Sequence, residues 1–282
     1  MATLIDGKKI AKKIEEETAA RIVALKNKGV SPKLAVILVG EDKPSQTYVR
    51  RKQEAALRVG LDFILLNLPA NISMPELIDK MENLQHTENL SGLIIQLPLP
   101  EQLYNAEVLN TIRPEIDVDC LTNTNAGRLV MKTNYLVPPT PGAVITILKD
   151  LKTDLTGKDV VIVGAGALVG KPMAIMLLNE HCTVTVCNSA TKNIKEKCLG
   201  ADIIISGVGK KDLIRGDMVR DNAIVIDTGF SFEKGKMHGD VNLEELKQKK
   251  VFVTPTPGGV GPITVALLLQ NTVTCAERNL KI

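Results

Sequence analysis

Short apolar, β-branched segments alternate with helical patterns along almost the whole chain, and this alternation constrains the fold more than any other feature. In the first half, residues 34–40, 63–68 and 92–97 have the length and composition of strands, whereas residues 45–60 and 74–84 have the apolar spacing of helices. Strands that alternate with helices form parallel sheets covered on both faces. The sequence therefore predicts an α/β protein.

A proline-rich break separates this half from a second alternating half. Residues 137–142 read VPPTPG, which is too rich in proline for a helix or a central strand. A second break, PTPGGVGP at 255–262, precedes a last apolar helix over 263–276. We expect two domains, residues 1–138 and 139–262. The strands predicted for the second parallel sheet are 160–163, 183–187, 202–207, 223–228 and 251–254.

Composition excludes several classes of protein. The net charge is +3 without a dense run of Lys or Arg, and Trp is absent, which argues against a nucleic-acid-binding surface. No apolar stretch approaches the roughly 18 residues that cross a bilayer, and the first residues lack the apolar centre of a signal peptide. We expect a soluble protein that binds neither nucleic acid nor a membrane.

The cysteines and histidines indicate a reducing, cytoplasmic environment and no metal site. Five cysteines form no C-x-x-C pair, and their odd number favours buried thiols. Three histidines occur without an H-E-x-x-H pattern, which argues against catalytic zinc.

A glycine-rich turn at residues 160–172, VVIVGAGALVGKP, is typical of a dinucleotide site. Gly164 permits the tight turn, Gly166 lets the backbone approach a pyrophosphate, and Gly170 allows close packing of helix on strand. The spacing G-x-G-x-x-x-G is one residue longer than usual. A strand–loop–helix unit without nucleotide therefore remains an alternative.

The segment after the next strand bears on the choice of cofactor. An NAD site usually has an acid here, about 20 residues beyond the glycines, whereas residues 188–192 read NSATK. Ser189, Thr191 and Lys192 are able to receive a 2′-phosphate, but no Arg supports them. We expect a weak preference for NADP, with NAD as the alternative.

Three further patterns carry candidate chemistry. Tyr48 and Lys52 lie four residues apart on one helix face and are able to share a proton, unless this is only a solvated face. Gln96 ends a predicted parallel strand, where ligands bind in open α/β sheets, or simply closes that strand. Asp117 and Asp119 share a side of an extended segment and suit acid–base work, unless one of them simply caps a helix or pairs with Arg113.

Four ordered motifs carry a resemblance to a known family. They are S-Q-x-Y-x-x-x-K (45–52), Q-L-P-L-P (96–100), D-V-D (117–119) and P-G-G-V-G-P-x-T (257–264). Together they resemble the bifunctional methylenetetrahydrofolate dehydrogenase/methenyltetrahydrofolate cyclohydrolase family, and the likeness extends from IDGK at 5–8 to VALLLQNT at 265–272.

This resemblance implies a catalytic parallel-sheet domain, a Rossmann-type dinucleotide domain and a homodimer formed through the cofactor domains. The implied activity is oxidation of 5,10-methylenetetrahydrofolate with NADP, followed by hydrolysis to 10-formyltetrahydrofolate. The alternatives are a cyclohydrolase with little dehydrogenase activity and a non-catalytic folate- or nucleotide-binding regulator. Tetrahydrofolate derivatives are the implied partners.

The resemblance also assigns roles to residues. Lys52 would be the principal catalytic group, Tyr48 would position the folate ring and tune that lysine, Gln96 would bond the lysine or the substrate, and Asp119 would bind the pterin. The 257–264 loop would close over the substrate between the domains, so that segment 263–282 returns to the first domain. The further substrate-binding residues implied are Ile95, Leu97, Pro257, Gly258, Gly259, Val260, Gly261, Pro262 and Thr264. The cofactor-binding residues implied are Gly164, Ala165, Gly166, Val169, Gly170, Ser189, Thr191, Lys192 and Phe230.

The chain departs from the family pattern mainly around the cofactor. Ala165 and Gly166 stand where the family has R-S or A-S, residues 188–191 lack the basic residue of H-S-R-T, and the V-G-I of the family is replaced by T-G-F at 228–230. Cys120 replaces the glycine of D-V-D-G, and Pro139 replaces the cysteine of P-C-T-P.

Overall fold

The computed structural model describes residues 1–233 and 235–280 and divides into two compact units. The six-stranded unit comprises Met1–Ala11 and Thr140–Thr264, and the three-stranded unit comprises Lys12–Pro139 and Val265–Ile282. Residues 281 and 282, at the end of the predicted returning segment, lie outside the described residues. None of the helices in the described ranges combines the length and apolar content that a bilayer span requires.

The elements alternate as the sequence predicts. The strands are β1 (Thr3–Leu4), β2 (Lys33–Val39), β3 (Asp62–Leu68), β4 (Gly92–Ile95), β5 (Asp159–Val163), β6 (Thr183–Cys187), β7 (Ile203–Ser206), β8 (Ile224–Asp227), β9 (Ser231–Glu233), β10 (Lys236–His238) and β11 (Phe252–Val253). The helices are α1 (Gly7–Lys26), α2 (Lys43–Val59), α3 (Met74–Thr87), α4 (Ala106–Asn110), α5 (Asn123–Val130), α6 (Pro139–Asp150), α7 (Gly170–Asn179), α8 (Ile194–Leu199), α9 (Leu243–Leu246) and α10 (Val260–Asn279).

The three-stranded unit is built on the parallel sheet β3-β2-β4. Successive residues of β2 point to opposite faces, because side chains alternate along a strand. Leu34, Val36 and Leu38 pack into a core that α1, α2 and the later part of α10 complete. Ala35 and Ile37 pack into a second core with α3 and α4. Both faces of the sheet are therefore covered, which confirms the predicted α/β architecture.

The six-stranded unit has the parallel order β1-β11-β8-β7-β5-β6. Its central strands are the β-branched segments that the sequence predicts, within one or two residues at each end. The antiparallel hairpin β9–β10 is an addition that the sequence analysis did not predict. Its strands are only three residues long and carry charged residues at their ends, so they have no apolar periodicity.

The first strand departs from the predicted domain boundaries. Residues 1–11 were assigned to the first domain, but Thr3 and Leu4 pair in parallel with Phe252 and Val253 of β11. The amide N–H of Thr3 donates to the Val251 carbonyl at 2.8 Å. A two-residue strand is too short for periodicity to reveal, and only the fold brings its partner, some 250 positions away in the chain, alongside it.

The two proline-rich breaks are shorter than predicted, and the prediction was wrong at their later residues. Helix α6 begins at Pro139 and contains Pro141, and α10 begins at Val260 and contains Pro262. The first N–H groups of a helix have no intrahelical acceptor, so proline is tolerated in the first turn. The prolines mark where these helices begin.

Candidate functional site

Helix α2 presents Tyr48 and Lys52 on one face of the three-stranded unit. The helix begins after Asp42, whose carboxylate accepts the Ser45 N–H at 2.9 Å, and it ends at Gly60 with a φ of 79°. Side chains four residues apart are neighbours on a helix surface. Helix geometry alone therefore places the Tyr48 and Lys52 side chains next to each other. Both side chains are partly buried.

A hydrogen bond joins Lys52 to the end of strand β4. Lys52 Nζ donates to Gln96 Oε1 at 3.0 Å, and Gln96 Nε2 donates to the carbonyl of Leu97 at 2.7 Å. The Gln96 N–H donates to the Ile37 carbonyl of β2 at 2.8 Å, while Ile95 is fully buried. The amide is therefore held with its oxygen towards the lysine, and its orientation is set by both the strand and the side chain.

Burial and one carboxylate govern the charge of Lys52. Removal from water lowers the pKa of Lys52, and the nearby Asp119 carboxylate opposes this shift. Burial raises the pKa of Asp119, an effect that Lys52 counters and the Asp117 carboxylate adds to. A lysine whose pKa is lowered in this way is able to exchange a proton closer to neutral pH than an exposed lysine can.

Tyr48 lies beside a second cation. The guanidinium carbon of Arg51 is 5.9 Å from the centroid of the Tyr48 ring. Burial raises the pKa of Tyr48, and the charge of Arg51 opposes that shift. The phenol therefore stays protonated at neutral pH and acts as a neutral hydrogen-bonding group beside the lysine. Arg51 was not among the predicted site residues, although its position next to Lys52 in VRRK was a visible signal.

The two aspartates of D-V-D have different surroundings. Asp117 is fully buried and accepts hydrogen bonds from Leu121 N at 3.0 Å, Thr122 N at 2.9 Å and Asn125 Nδ2 at 2.9 Å. It thereby ties down the start of α5. The cap of α5 is Thr122, whose hydroxyl accepts the Asn125 N–H, and Asp117 holds the turn that leads into this cap. Asp119, in contrast, interacts with the charge of Lys52.

The glycine turn of the six-stranded unit leaves open space where a dinucleotide would bind. A Cβ at Gly170 would lie 1.9 Å from the Gly164 carbonyl oxygen, and one at Gly164, whose φ is 117°, would lie 2.6 Å from the Gly207 oxygen. These two glycines are required by close backbone packing. A Cβ at Gly166, in contrast, would meet no atom within 4 Å. Gly166 thus borders a backbone cradle that a pyrophosphate is able to fill.

The start of α7 completes this cradle. Val169 precedes the helix and makes no side-chain cap, while the Lys171 N–H donates to the Gly166 carbonyl at 3.0 Å. The N-terminus of a helix attracts anions because its N–H groups and dipole point outward. Strand β5, the turn through Ala165 and the helix start therefore have the form of a phosphate site, and the residues present fit a dinucleotide.

The segment after β6 is a compact turn. The Asn188 N–H donates to Thr191 Oγ1 at 2.8 Å, and the Ala190 N–H donates to Asn188 Oδ1 at 2.9 Å. Thr191 therefore holds the turn itself, while Ser189 and Lys192 are exposed. Phe230, also exposed, packs its edge on Phe232 with 6.4 Å between ring centroids.

The loop at 257–264 belongs to the six-stranded unit and rests on Gly7. A Cβ at Gly7 would lie 1.7 Å from the Gly259 carbonyl oxygen, so only glycine permits this approach. Gly258 has a φ of 107°, and Thr264 Oγ1 donates to the Val260 carbonyl at 3.3 Å. Pro257, Gly261 and Pro262 complete the loop. Gly7 was not among the predicted site residues, although it lies in IDGK, one end of the family likeness.

Comparison with known proteins identifies one family for both parts of the chain. Residues 5–119 match the model of the tetrahydrofolate dehydrogenase/cyclohydrolase catalytic domain, and residues 138–280 match that of the NAD(P)-binding domain of the same family. The bifunctional protein FolD of Bacillus pumilus is 42% identical over 280 residues, which cover 99% of each chain.

Solved structures give the same result. The bifunctional FolD of Campylobacter jejuni is 42% identical with a TM-score of 0.95, covering 99% of this chain and 100% of that one. The FolD of Trypanosoma brucei, solved with NADP and an inhibitor, is 37% identical with a TM-score of 0.95, covering 100% of this chain and 99% of that one. The chain belongs to the tetrahydrofolate dehydrogenase/cyclohydrolase family.

Proposed function

We propose that this protein oxidises 5,10-methylenetetrahydrofolate to 5,10-methenyltetrahydrofolate with NADP and hydrolyses the product to 10-formyltetrahydrofolate. The observation that carries the proposal is the partly buried Lys52, whose Nζ is bonded to Gln96 and whose pKa burial lowers. A lysine poised in this way serves proton transfer. The alternative of a non-catalytic regulator gives such a group no task.

Lys52 acts chiefly in the hydrolytic half of the reaction. Water adds to the carbon of the methenyl cation, and the neutral amine of Lys52 takes a proton from that water as the C–O bond forms. Opening of the ring then yields the 10-formyl product, with one proton released overall. Gln96 accepts a hydrogen bond from Nζ at 3.0 Å, so the lone pair of the neutral amine is held in one direction. General acid–base groups of this kind contribute about 10²–10⁴-fold to rate.

Tyr48 and Asp119 position the substrate around that lysine. Asp119 is the carboxylate whose charge acts on Lys52. Its two oxygens are able to accept hydrogen bonds from the N–H groups of a pterin. Tyr48 provides a flat ring for the folate to stack on and a neutral hydroxyl one helical turn from the lysine. Ile95 and Leu97, which flank Gln96, place an apolar wall and a carbonyl beside it.

When bound, NADP would supply the redox chemistry as the acceptor of a hydride from the methylene carbon. Gly164, Gly166 and the start of α7 would hold its pyrophosphate, since the space beside Gly166 is open whereas Gly164 and Gly170 are closed by neighbouring backbone. Ser189 and Lys192, on an exposed turn, would receive the 2′-phosphate, and Thr191 supports that turn through its hydroxyl. Val169 and Phe230 provide apolar contacts at the edges of the site.

Replacement of Lys52 tests the assignment. In Lys52→Met we expect methenyl hydrolysis to fall by at least 100-fold while folate still binds, because the methionine retains the packing but has no amine. Lys12→Met is a matched control in the same unit, since the Lys12 side chain is 78% exposed. Methenyl formation and decay are followed by absorbance with NADP and, separately, with NAD.

Several outcomes would contradict the proposal. A wild-type protein that forms no methenyl product with either nucleotide is not a dehydrogenase. A Lys52→Met variant that loses less than tenfold shows that Lys52 is a spectator.

We also propose a cytoplasmic homodimer joined through the six-stranded units. Strand β6 lies at the edge of its sheet, and Val186 on that strand is 40% exposed. Five free, buried cysteines suit a reducing compartment. Sedimentation at micromolar concentration tests the dimer, and a monomer there would remove it.

A further inference from the structure

Two buried carboxylates of the six-stranded unit belong to neither of the candidate sites. Asp227 ends β8 and is 3% exposed, and Asp240 follows the β9–β10 hairpin and is fully buried. A buried carboxylate is costly unless hydrogen-bond donors surround it. The position of these donors shows what each aspartate holds.

The donors to Asp240 all come from one segment. Ser206 Oγ and Val208 N donate to Oδ2, each at 2.7 Å, and Lys210 N donates to Oδ1 at 2.8 Å. These residues belong to segment 206–210, which begins at the last residue of β7. One carboxylate therefore fixes residues 207–210, which form no regular secondary structure, against the end of β7.

Asp227 in turn fixes the chain around Asp240. Gly229 N donates to its Oδ1 at 3.0 Å and Val241 N to its Oδ2 at 3.1 Å. A backbone hydrogen bond from Asp240 and these two bonds lower the pKa of Asp227, but burial outweighs them and raises it to about 6. The charge on Asp240 adds to the upward shift.

Two glycines make this arrangement sterically possible. A Cβ at Gly229 would lie 2.2 Å from Asp240 Oδ2, and a Cβ at Gly239 would lie 1.9 Å from Asp227 Oδ2. Each carboxylate is thus covered by a stretch of backbone that carries no side chain. Gly229, close to Asp227 in the chain, lies against Asp240, and Gly239, next to Asp240, lies against Asp227. We call this arrangement of two aspartates and two glycines the lock.

The segment held by this lock forms one wall of the glycine turn. A Cβ at Gly164 would lie 2.6 Å from the carbonyl oxygen of Gly207 and 3.4 Å from Val208 Cγ2. The Gly207 N–H also donates to the Val163 carbonyl at 2.8 Å, at the end of β5. A movement of segment 206–210 would therefore change the backbone at Gly164 directly.

We propose that Asp240 is a positioning residue for the dinucleotide site. Its carboxylate holds segment 206–210, that segment sets the Gly164 turn, and Asp227 holds Asp240. The inference rests on the proposed role of this turn in binding NADP. It assigns Asp240 no contact with the cofactor and no part in the chemistry of the folate site.

The chemistry of the contact indicates the variant to test. Both oxygens of Asp240 accept backbone N–H groups, whereas an amide offers one oxygen and one NH₂. In Asp240→Asn, the NH₂ group replaces one of the two oxygens and must face either the Val208 N–H or the Lys210 N–H, so that two donors meet. The Ser206 hydroxyl is able to rotate and accept from the NH₂, but a backbone N–H is not. Size and shape are unchanged, so the substitution loosens segment 206–210 selectively.

The test measures NADPH binding by nicotinamide fluorescence without folate, together with amide hydrogen exchange of segment 206–210 without cofactor. For Asp240→Asn we expect the NADPH Kd to rise at least tenfold and the Val208 and Lys210 amides to exchange faster. Hydrolysis of supplied methenyltetrahydrofolate needs no oxidation and should change less than twofold. Asp217→Asn is the control, since Asp217 is exposed and pairs with Lys195 in the same unit.

Each other outcome overturns the inference. An NADPH Kd within twofold of wild type, with or without faster exchange, means that the lock does not position the site. An equal loss of NADPH binding and methenyl hydrolysis indicates a general structural role. If Asp240→Asn does not fold, Ser206→Ala removes one donor and leaves no buried N–H unpaired; an unchanged Kd there also refutes the inference.

The result is separable from the proposed function. A wild-type protein that binds NADPH but does not turn over folate contradicts the function and leaves the binding comparison intact. A wild-type protein that binds no NADPH removes both.

Discussion

Gly166 and Gly170 lie four residues apart in one turn, yet their surroundings predict opposite effects of adding a methyl group. In Gly170→Ala the new Cβ would lie 1.9 Å from the Gly164 oxygen and 2.8 Å from its carbonyl carbon. Both atoms belong to the backbone and cannot turn aside. In Gly166→Ala the new Cβ meets nothing within 4 Å, and the backbone there is not left-handed.

These distances set the expected magnitudes. Overpacking typically costs about 1–3 kcal/mol, and 1 kcal/mol shifts the melting temperature of a unit of this size by roughly 4 °C. Gly170→Ala should therefore lower Tm by roughly 4–12 °C. Where the conformation suits alanine, a Gly→Ala change stabilises by about 0.4–1 kcal/mol because it restricts the unfolded chain. Gly166→Ala should leave Tm unchanged or raise it by a few degrees.

The substitution that leaves Tm unchanged, Gly166→Ala, is the one expected to weaken cofactor binding. The methyl group of Gly166→Ala occupies the space proposed for the pyrophosphate, so we expect NADP to bind at least tenfold more weakly, which is about 1.4 kcal/mol. Calorimetric melting and NADP titration on the same samples measure both effects. Gly127→Ala in α5 is the control, since its Cβ also meets no atom within 4 Å.

Two results would refute this reasoning. If Gly166→Ala binds NADP as wild type does, the open space at Gly166 is not the pyrophosphate site. If Gly170→Ala melts as wild type does, the backbone approach between Gly164 and Gly170 is looser than the structure shows.

Three further measurements test the cofactor preference, the folate site and the pH response. Lys192→Ala should reduce the NADP/NAD ratio of kcat/KM by roughly fivefold, since an exposed ionic contact contributes about 1 kcal/mol; an unchanged ratio removes Lys192 from the phosphate site. Tyr48→Phe should reduce methenyl hydrolysis by less than tenfold because the ring remains, and a loss of 100-fold or more would make the hydroxyl essential. The pKa of Asp227 is raised from 3.8 to about 6, so its folded form binds a proton more tightly than its unfolded form. Its contribution to stability should therefore fall by up to ~3 kcal/mol as pH rises from about 4 to 6 and stay constant above that; a carboxyl ¹³C titration of Asp227 near 4 would contradict this.

Local patterns predicted most of the elements correctly, and each error has a physical reason. The correctly predicted features depend on neighbours within a few residues. They are the helix that carries Tyr48 and Lys52, the capping box of Ser73 and Glu76, and the β-branched strands. The pattern of a serine followed three residues later by a glutamate predicts a capping box at the start of α3, and Ser73 N does donate to Glu76 Oε2 at 3.0 Å. The prolines of α6 and α10 misled the prediction because proline is excluded from helix interiors but not from first turns.

The sequence by itself determined the α/β class, the helix face shared by Tyr48 and Lys52, and the glycine turn, since each follows from short-range spacing. Only the tertiary structure decided what those groups meet. Gln96 is 44 residues from Lys52, and the Asp240 carboxylate is 30 to 34 residues from the donors it accepts. Burial, which sets the pKa of Lys52 and Asp227, also depends on every element packed around them. Hydrogen bonds and desolvation act over a few ångströms in space, and no spacing along the chain records which distant residues the fold will bring that close.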